Sequence, residues 1–441
     1  MKISKSNRIV ITGIGPISSA GIGKDEFWKG LCHRKLNITE VSYKLDNKEW
    51  KRFKKFCIKE FNINKFGLEA HLLEAIYQWK EGGVDNDLFY LLAAAKLSLD
   101  DSKLKYDPDQ NRIGLIVAHE NPGLEDYFST ILDNSFNYFL NSFDDKRSKI
   151  SFFQHMFEKM LKKSYELQTF MPVFHIAKTL KLHGYSLFIN NACASGAFAL
   201  EEAKNIIVSG QCDAVVIVAA DKPEVYKYLW FERLNMYSKS GVMRPFSNNA
   251  DGFLIGDGAA ALVIESYDSA VKRSAPIYAE YIGGSFTLES WKVTLPAPHS
   301  NYYEETIKTV FQRTKIKSKD VDIIIPHGVC TRLNDKYEMQ AFEKIFGQHI
   351  SSQAILLPLK PFFGHSLGAN ALLEIAALML MFEKGQVLPF LNRGRDEKTP
   401  LFKIIPHLSK KEISLGLKTT CAFAGFDSAL LFRNLTRGHN V

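Results

Sequence analysis

Three side chains in this sequence have the types and settings that nucleophilic catalysis needs: Cys193, His327 and His365. Cys193 lies in Ala192-Cys193-Ala194-Ser195-Gly196-Ala197, a run of small residues. Before it stands the apolar Leu187-Phe188-Ile189; after it an apolar-periodic stretch passes through Phe198, Leu200, Ala203, Ile206 and Ile207 to Gly210. This pattern predicts a buried strand, a tight turn and a helix, with the thiol at the helix N-terminus. The unpaired N–H groups and the dipole there favour a thiolate, and small neighbours let a substrate approach the sulfur. His327 follows an apolar strand in Pro326-His327-Gly328. His365 follows the next one, in Lys360-Pro361-Phe362-Phe363-Gly364-His365-Ser366-Leu367-Gly368, and leads into a long helix. Open α/β sheets place their sites at such strand ends. A lone cysteine here reads as core, and either histidine alone reads as structural. Two histidines at equivalent strand ends, with a cysteine at a helix start, form a pattern for nucleophilic catalysis. The competing reading is a metal site, but no second His or carboxylate stands at ligand spacing beside either histidine, so no metal is expected.

The elements that must position these groups recur in a regular order. Arg8–Gly15 reads as a first buried strand, with a helix around Asp25–Leu31, another at Asp87–Asp101 and a strand at Ile113–His119. After the Cys193 unit come an apolar strand, Ala214–Ala220, and the turn, glycine-rich approach and strand of Arg244–Ile264. Near residues 266–275 the pattern restarts. Strands at Ile277–Ile282, Val321–Pro326 and Ile355–Leu359 alternate with helices at Glu304–Arg313, after Asn334-Asp335, and at Ala369–Glu383. Two strands, Ile413–Thr419 and Ala429–Phe432, close the chain. Such alternation, twice over, predicts an α/β protein of two similar halves with sheets covered on both faces. The halves span 1–268, carrying Cys193, and 269–441, carrying His327 and His365. Within the first, residues 124–172, with helical spacing in Phe152, Met156, Met160 and Leu161, read as an inserted lid or dimer-forming segment.

Composition bounds the rest. The 441 residues are 46% hydrophobic and 24% charged, as in a globular chain with a large core. No cleavable leader and no apolar run approaching the ~18 residues of a membrane span is present, so a cytoplasmic location without membrane contact is expected. Six cysteines without pairwise spacing fit reduced thiols. A net charge of +8 without an arginine-rich tract suits an acidic partner rather than nucleic acid.

With these residues in place, the chain resembles the β-ketoacyl-acyl-carrier-protein synthases, type II elongating condensing enzymes of the thiolase fold, from TGIGPISSAG at its start to GFDSALLF near its end. Cys193 in ACASG matches the family's nucleophile, His327 in HGVCT its first catalytic histidine and His365 in GHSLGA its second. Lys360 matches the lysine five residues before that histidine, and Glu374 the acidic residue that supports it. Asp335 and Glu338 match a D-x-x-E pair, and RPFSNNADGFLIGDGA a further family segment. The resemblance implies a layered αβαβα arrangement and a decarboxylative Claisen condensation. An acyl group on Cys193 would be lengthened by two carbons from malonyl-carrier protein, in a fatty acyl, polyketide or aryl-polyene type pathway. It implies no cofactor beyond the carrier protein's phosphopantetheine arm, an acyl carrier protein as partner, and a homodimer or a heterodimer with a chain-length partner. Two neutral imidazoles would donate hydrogen bonds to the malonyl thioester oxygen, while Lys360 orients the His365 region through Glu374.

The sequence departs from the family at three places. The loop read G-F-G-G-T-N is here Ala422-Phe423-Ala424-Gly425-Phe426-Asp427; Phe423 keeps the place of the gating aromatic whose amide completes the oxyanion hole. Alanine costs free energy wherever φ must be positive, so this gate should move less freely or pivot elsewhere. Phe426 with the following Ser428-Ala429-Leu430-Leu431 is similar to polyketide and aryl-polyene ketosynthases and their chain-length partners. Cys330 stands where Ser or Gly is usual. Asn121, in His119-Glu120-Asn121-Pro122-Gly123, stands at the floor of the acyl pocket in place of an apolar residue. A polar group there implies a short, polar or unsaturated acyl chain, or an amide turned to backbone. Two other classes compete: a non-catalytic chain-length partner, which characteristically lacks the nucleophile, and a thiolase acting on free coenzyme A, which needs a C-x-G context that Cys421 lacks. For docking the carrier protein, the basic cluster Lys51, Arg52, Lys54 and Lys55, together with Arg233, provides candidates.

Overall fold

The computed structural model describes residues 8–45, 48–79, 86–105, 112–124, 127–128, 150, 154, 157–158, 160–161, 163–297, 299–347, 354–393 and 402–436. Most of the proposed 124–172 insertion, including Phe152 and Met156, lies outside the described residues.

Ten strands carry the architecture: β1 (Ile9–Ile14), β2 (Ile113–Ala118), β3 (Ser186–Ile189), β4 (Ala214–Asp221) and β5 (Gly258–Ser266), then β6 (Ala279–Leu288), β7 (Ile323–Ile325), β8 (Ile355–Leu356), β9 (Leu415–Cys421) and β10 (Phe426–Asn434). With two short strands beside β5 they form one mixed sheet in the order β8-β7-β9-β10-β6-β1-β5-β4-β2-β3. Each half therefore reads third-second-fourth-fifth-first. In each, the second strand pairs parallel with the third and fourth, while the fourth pairs antiparallel with the fifth. The two first strands, β1 and β6, join the halves antiparallel through Ile9–Ile11 and Ala279–Tyr281.

Six helices complete the layers: α1 (Asn86–Ser102), α2 (Phe170–Leu180), α3 (Ser195–Val208), α4 (Tyr302–Thr314), α5 (Arg332–Phe346) and α6 (Asn370–Lys384). The first two cover the outer face of the first half, and α4 covers that of the second, with α5 beside it. Helices α3 and α6 lie between the halves and pack on strands of both. Strands buried on both faces must be apolar at successive positions, and β4 divides accordingly: Val215, Ile217 and Ala219 join the central core, Val216 and Val218 the outer one. Helix α6 is buried from Asn370 to Phe382, which explains why its sequence is apolar all round. Its close approach to α3 needs Gly196, where a Cβ would stand 2.8 Å from Leu372 Cγ.

The elements read from the sequence stand within a few residues of those expected, with three differences. Helix α5 begins at Arg332 rather than after Asn334-Asp335, because the Asp335 carboxylate accepts from the Phe246 and Cys330 amides instead of capping. The charge-and-aromatic stretch after residue 37 forms a hairpin, Ile38–Leu45 and Lys48–Phe56. Within it Lys55 leaves the expected basic surface cluster: it is buried and bonded to Pro223 O (3.0 Å), Asp257 (2.8 Å) and Glu224 (3.2 Å).

Candidate active site

The loops after β3, β7, β8 and β9 converge on one pocket, lined by Cys193, His327 and His365 with Phe231, Phe253, Val329, Thr331, Asn334, Cys421 and Phe423 among others. Cys193 sits in the turn just before α3, whose N-cap is Ala194. Its Sγ lies 3.5 Å from Glu120 Oε1. Glu120 Oε2 in turn receives Lys227 Nζ at 2.5 Å, from the helix Val225–Arg233. Burial first, and the neighbouring Glu120 carboxylate next, push the thiol well above its ordinary pKa. This differs from the thiolate expected of a helix start: desolvation and an adjacent anion outweigh the partial charge of the helix end.

His327 follows β7. Its backbone N–H and that of Gly328 donate to the two Glu338 oxygens, at 2.9 and 2.8 Å. Gly328 has φ 50°, and a Cβ on it would stand 2.9 Å from Pro358. Lys360 Nζ bonds the His327 carbonyl at 2.5 Å and lies 3.3 Å from its Nδ1. An ammonium offers only hydrogens, so Nδ1 accepts and the ring proton stands on Nε2. Glu374 links Lys360 (3.1 Å) to Lys418 (2.9 Å), all three side chains being essentially without solvent contact. The His365 ring lies 5.6 Å from that of His327 at 82°. Its Nδ1 is 3.4 Å from Asn370 Oδ1, which also accepts from the Ser366 amide. Since Oδ1 only accepts, this contact is completed by a proton on His365 Nδ1, which leaves Nε2 as an acceptor. Burial, then the positive charge of Lys360, holds both imidazoles well below the usual histidine range. Both are therefore neutral at physiological pH.

The other expected residues fall as follows. Asp335 and Glu338 brace the His327 loop from α5. Phe423 lines the pocket, its ring 5.8 Å from that of Phe231. Ala424 stands at φ 60°, the left-handed region where Cβ is a liability, and Cys330 at φ 63°. Asn121 is exposed and is not among the residues lining this pocket; with its amide oriented to satisfy both neighbours, it donates to Glu120 O (3.1 Å) and accepts from Lys227 (2.9 Å). Sequence reasoning passed over Glu120, Lys227 and Lys418. A charged residue next to a strand end was the available signal for Glu120, whereas Lys418, inside a strand, offered none. The Thr331 Oγ1 and Asn334 Oδ1 atoms are buried at the pocket without a hydrogen-bond partner. Among the described residues no cluster suited to a metal ion occurs, and no helix is long and apolar enough to cross a membrane.

A buried thiol facing two neutral imidazoles across two stacked α/β halves defines a condensing enzyme of the acyltransferase type. Residues 6–270 match the family description Beta-ketoacyl synthase, N-terminal domain, and residues 278–393 match Beta-ketoacyl synthase, C-terminal domain. The chain belongs to the beta-ketoacyl synthase family. It is 27% identical over 436 residues to the actinorhodin polyketide putative beta-ketoacyl synthase 1 of Streptomyces coelicolor, covering 97% of this chain and 88% of that one. It is 26% identical over 441 residues to 3-oxoacyl-[acyl-carrier-protein] synthase 2 of Staphylococcus aureus, covering 98% and 99%. Among solved structures, the ishigamide ketosynthase/chain length factor superposes with a TM-score of 0.79 at 22% identity (97% and 99% covered). A type II polyketide acyl-carrier protein in complex with its ketosynthase superposes at 0.78, also at 22% identity and with 97% and 99% covered.

Proposed function

We propose that the protein transfers an acyl group from a carrier protein's phosphopantetheine arm to Cys193 and extends it by two carbons with malonyl-carrier protein, releasing carbon dioxide. The observation that carries this reading is the placement of the Cys193 thiol and two neutral imidazoles around one pocket. Thioester exchange needs the nucleophile. Decarboxylation then builds negative charge on the malonyl thioester oxygen, which a neutral imidazole N–H stabilises without competing for a proton. His327 has that N–H in the resting state, held there by Lys360. His365 offers an acceptor nitrogen until its proton moves from Nδ1 to Nε2. The unpartnered Thr331 and Asn334 oxygens suit a polar, amide-bearing arm passing between apolar walls.

The same reading extends to partners. Among the described residues strand β3 lies at one end of the sheet, and it runs directly into the Cys193 turn. Phe170, Phe174 and Tyr185 beside it are exposed. An apolar region along such an end strand suits a second ketosynthase-type subunit, most simply another copy of this chain. For the acidic carrier protein, Arg233 is exposed two residues beyond Phe231, a pocket residue; Arg52 and Lys54 are exposed on the hairpin. The deciding experiment supplies the purified chain with acyl- and malonyl-carrier protein and follows Cys193 and product by intact mass. An acyl adduct followed by a product two carbons longer supports the proposal. An adduct without extension, even when a chain-length partner is added, overturns it.

A further inference from the structure

Glu120 is the polar group nearest the nucleophile that nothing in the reaction so far employs. It follows β2 at the second position beyond the strand, as His327 follows β7, so the two stand at corresponding places in the two halves. One carboxylate oxygen lies 3.5 Å from Cys193 Sγ, within the normal reach of an S–H···O contact, and the other is held by Lys227. The loop that presents it is fixed twice over: the Asn121 backbone N–H donates to His119 Nδ1 at 3.0 Å, and the Asn190 side chain donates to the Glu120 carbonyl at 2.5 Å. A carboxylate with one oxygen pinned by a cation and the other aimed at a thiol has the geometry of a base–nucleophile pair.

We propose that Glu120 is the catalytic base for acyl transfer, with Lys227 as its positioning residue. This rests on the thioester-transfer reading of the site. As Sγ attacks the thioester carbonyl, the new S–C bond forms and the thiol proton passes to Glu120 Oε1. When the tetrahedral adduct collapses, the C–S bond to the carrier's arm breaks, and the departing thiolate takes that proton back from Glu120. The carboxylate is regenerated and no further reactant is consumed. The resting thiol needs such a base, since burial and the carboxylate keep it protonated at neutral pH. Base assistance of this kind is typically worth roughly 100-fold or more in rate.

Two readouts on the full-length protein test the assignment. The first is alkylation of Cys193 by iodoacetamide in the unaltered chain, which reports thiol activation whether or not the protein condenses acyl groups. Glu120 is faced by Cys193, Lys227, Asp221 and His119, with Lys360 and His365 across the pocket acting on the same sulfur or on Lys227. Burial pushes the Asp221 carboxyl up to about 8, so below pH 7 its charge is constant, and with a built-in base the alkylation rate changes little between pH 5.5 and 7. A rate that climbs tenfold per pH unit through that range, as free thiol titration requires, overturns the proposal. The second readout is E120Q. Loss of a base slows both alkylation and acyl loading at pH 7, about 100-fold for loading. If Glu120 merely raises the thiol pKa, E120Q removes that negative charge and alkylation becomes faster, which also overturns it. Should E120Q not fold, the pH profile of the unaltered chain still decides.

Discussion

The two halves repeat one strand order but present opposite chemistry at corresponding places. Cys193 precedes α3 and His365 precedes α6; Glu120 follows β2 and His327 follows β7. The first half offers a nucleophile with a carboxylate, and the second offers two imidazoles. Their supports differ too. Glu120 and Lys227 keep some contact with solvent, each side chain 11% exposed. The Lys360–Glu374–Lys418 chain behind the imidazoles has almost none. A dry positive cluster keeps the two histidines neutral over a wide pH range. The duplicated scaffold fixes where the groups stand, and local burial decides which charge state each one holds.

The comparison breaks most severely at Cys193: C193A should abolish the covalent acyl adduct altogether, and an adduct of undiminished yield on the variant would show that another residue is acylated. The second-half histidines come next. H327A and H365A should still acquire acyl groups but lose condensed product by about 100-fold or more, because they act on the malonyl oxygen and not on the thiol. A normal condensation rate in either would remove that histidine from the reaction.

The dry cluster is tested by E374Q, which strips Lys360 and Lys418 of their shared carboxylate. Removing one member of a buried ion pair costs about 3–5 kcal/mol, so the melting temperature should fall sharply. An unchanged melting temperature would mean that the two lysines find other partners. Neutrality itself is tested by pH. Burial and Lys360 hold both imidazoles well below 6.5, so each stays unprotonated as pH falls from 8 to 6. Malonyl decarboxylation should therefore stay nearly constant over that range. A half-loss with a midpoint near 6.5 would mark one ring as solvated. The smallest effect belongs to the gate: A424G relieves a left-handed alanine at φ 60° and should stabilise the fold by about 1 kcal/mol at most, read by denaturant midpoint.

What the sequence determined by itself is local. Small residues between an apolar strand and a periodic helix mark the Cys193 turn, and the histidines of HGVCT and GHSLGA follow strands whose apolar runs are unmistakable. Those patterns are written in contiguous residues, because strand, turn and helix each need only near neighbours to declare themselves. What the tertiary structure decided involves partners far apart in the chain. Glu120 meets Cys193 only because β2 and β3 pair in register, and Lys418 meets Glu374 only because α6 packs against β9. Lys55 looked like one of four surface cations until the hairpin placed it against Asp257, and only the folded chain brings the Asn121 amide to the Glu120 carbonyl and Lys227. Even the state of the thiol was decided there: a helix start favours the anion, but desolvation and a neighbouring carboxylate depend on everything that surrounds the sulfur, and a linear sequence does not fix those distances.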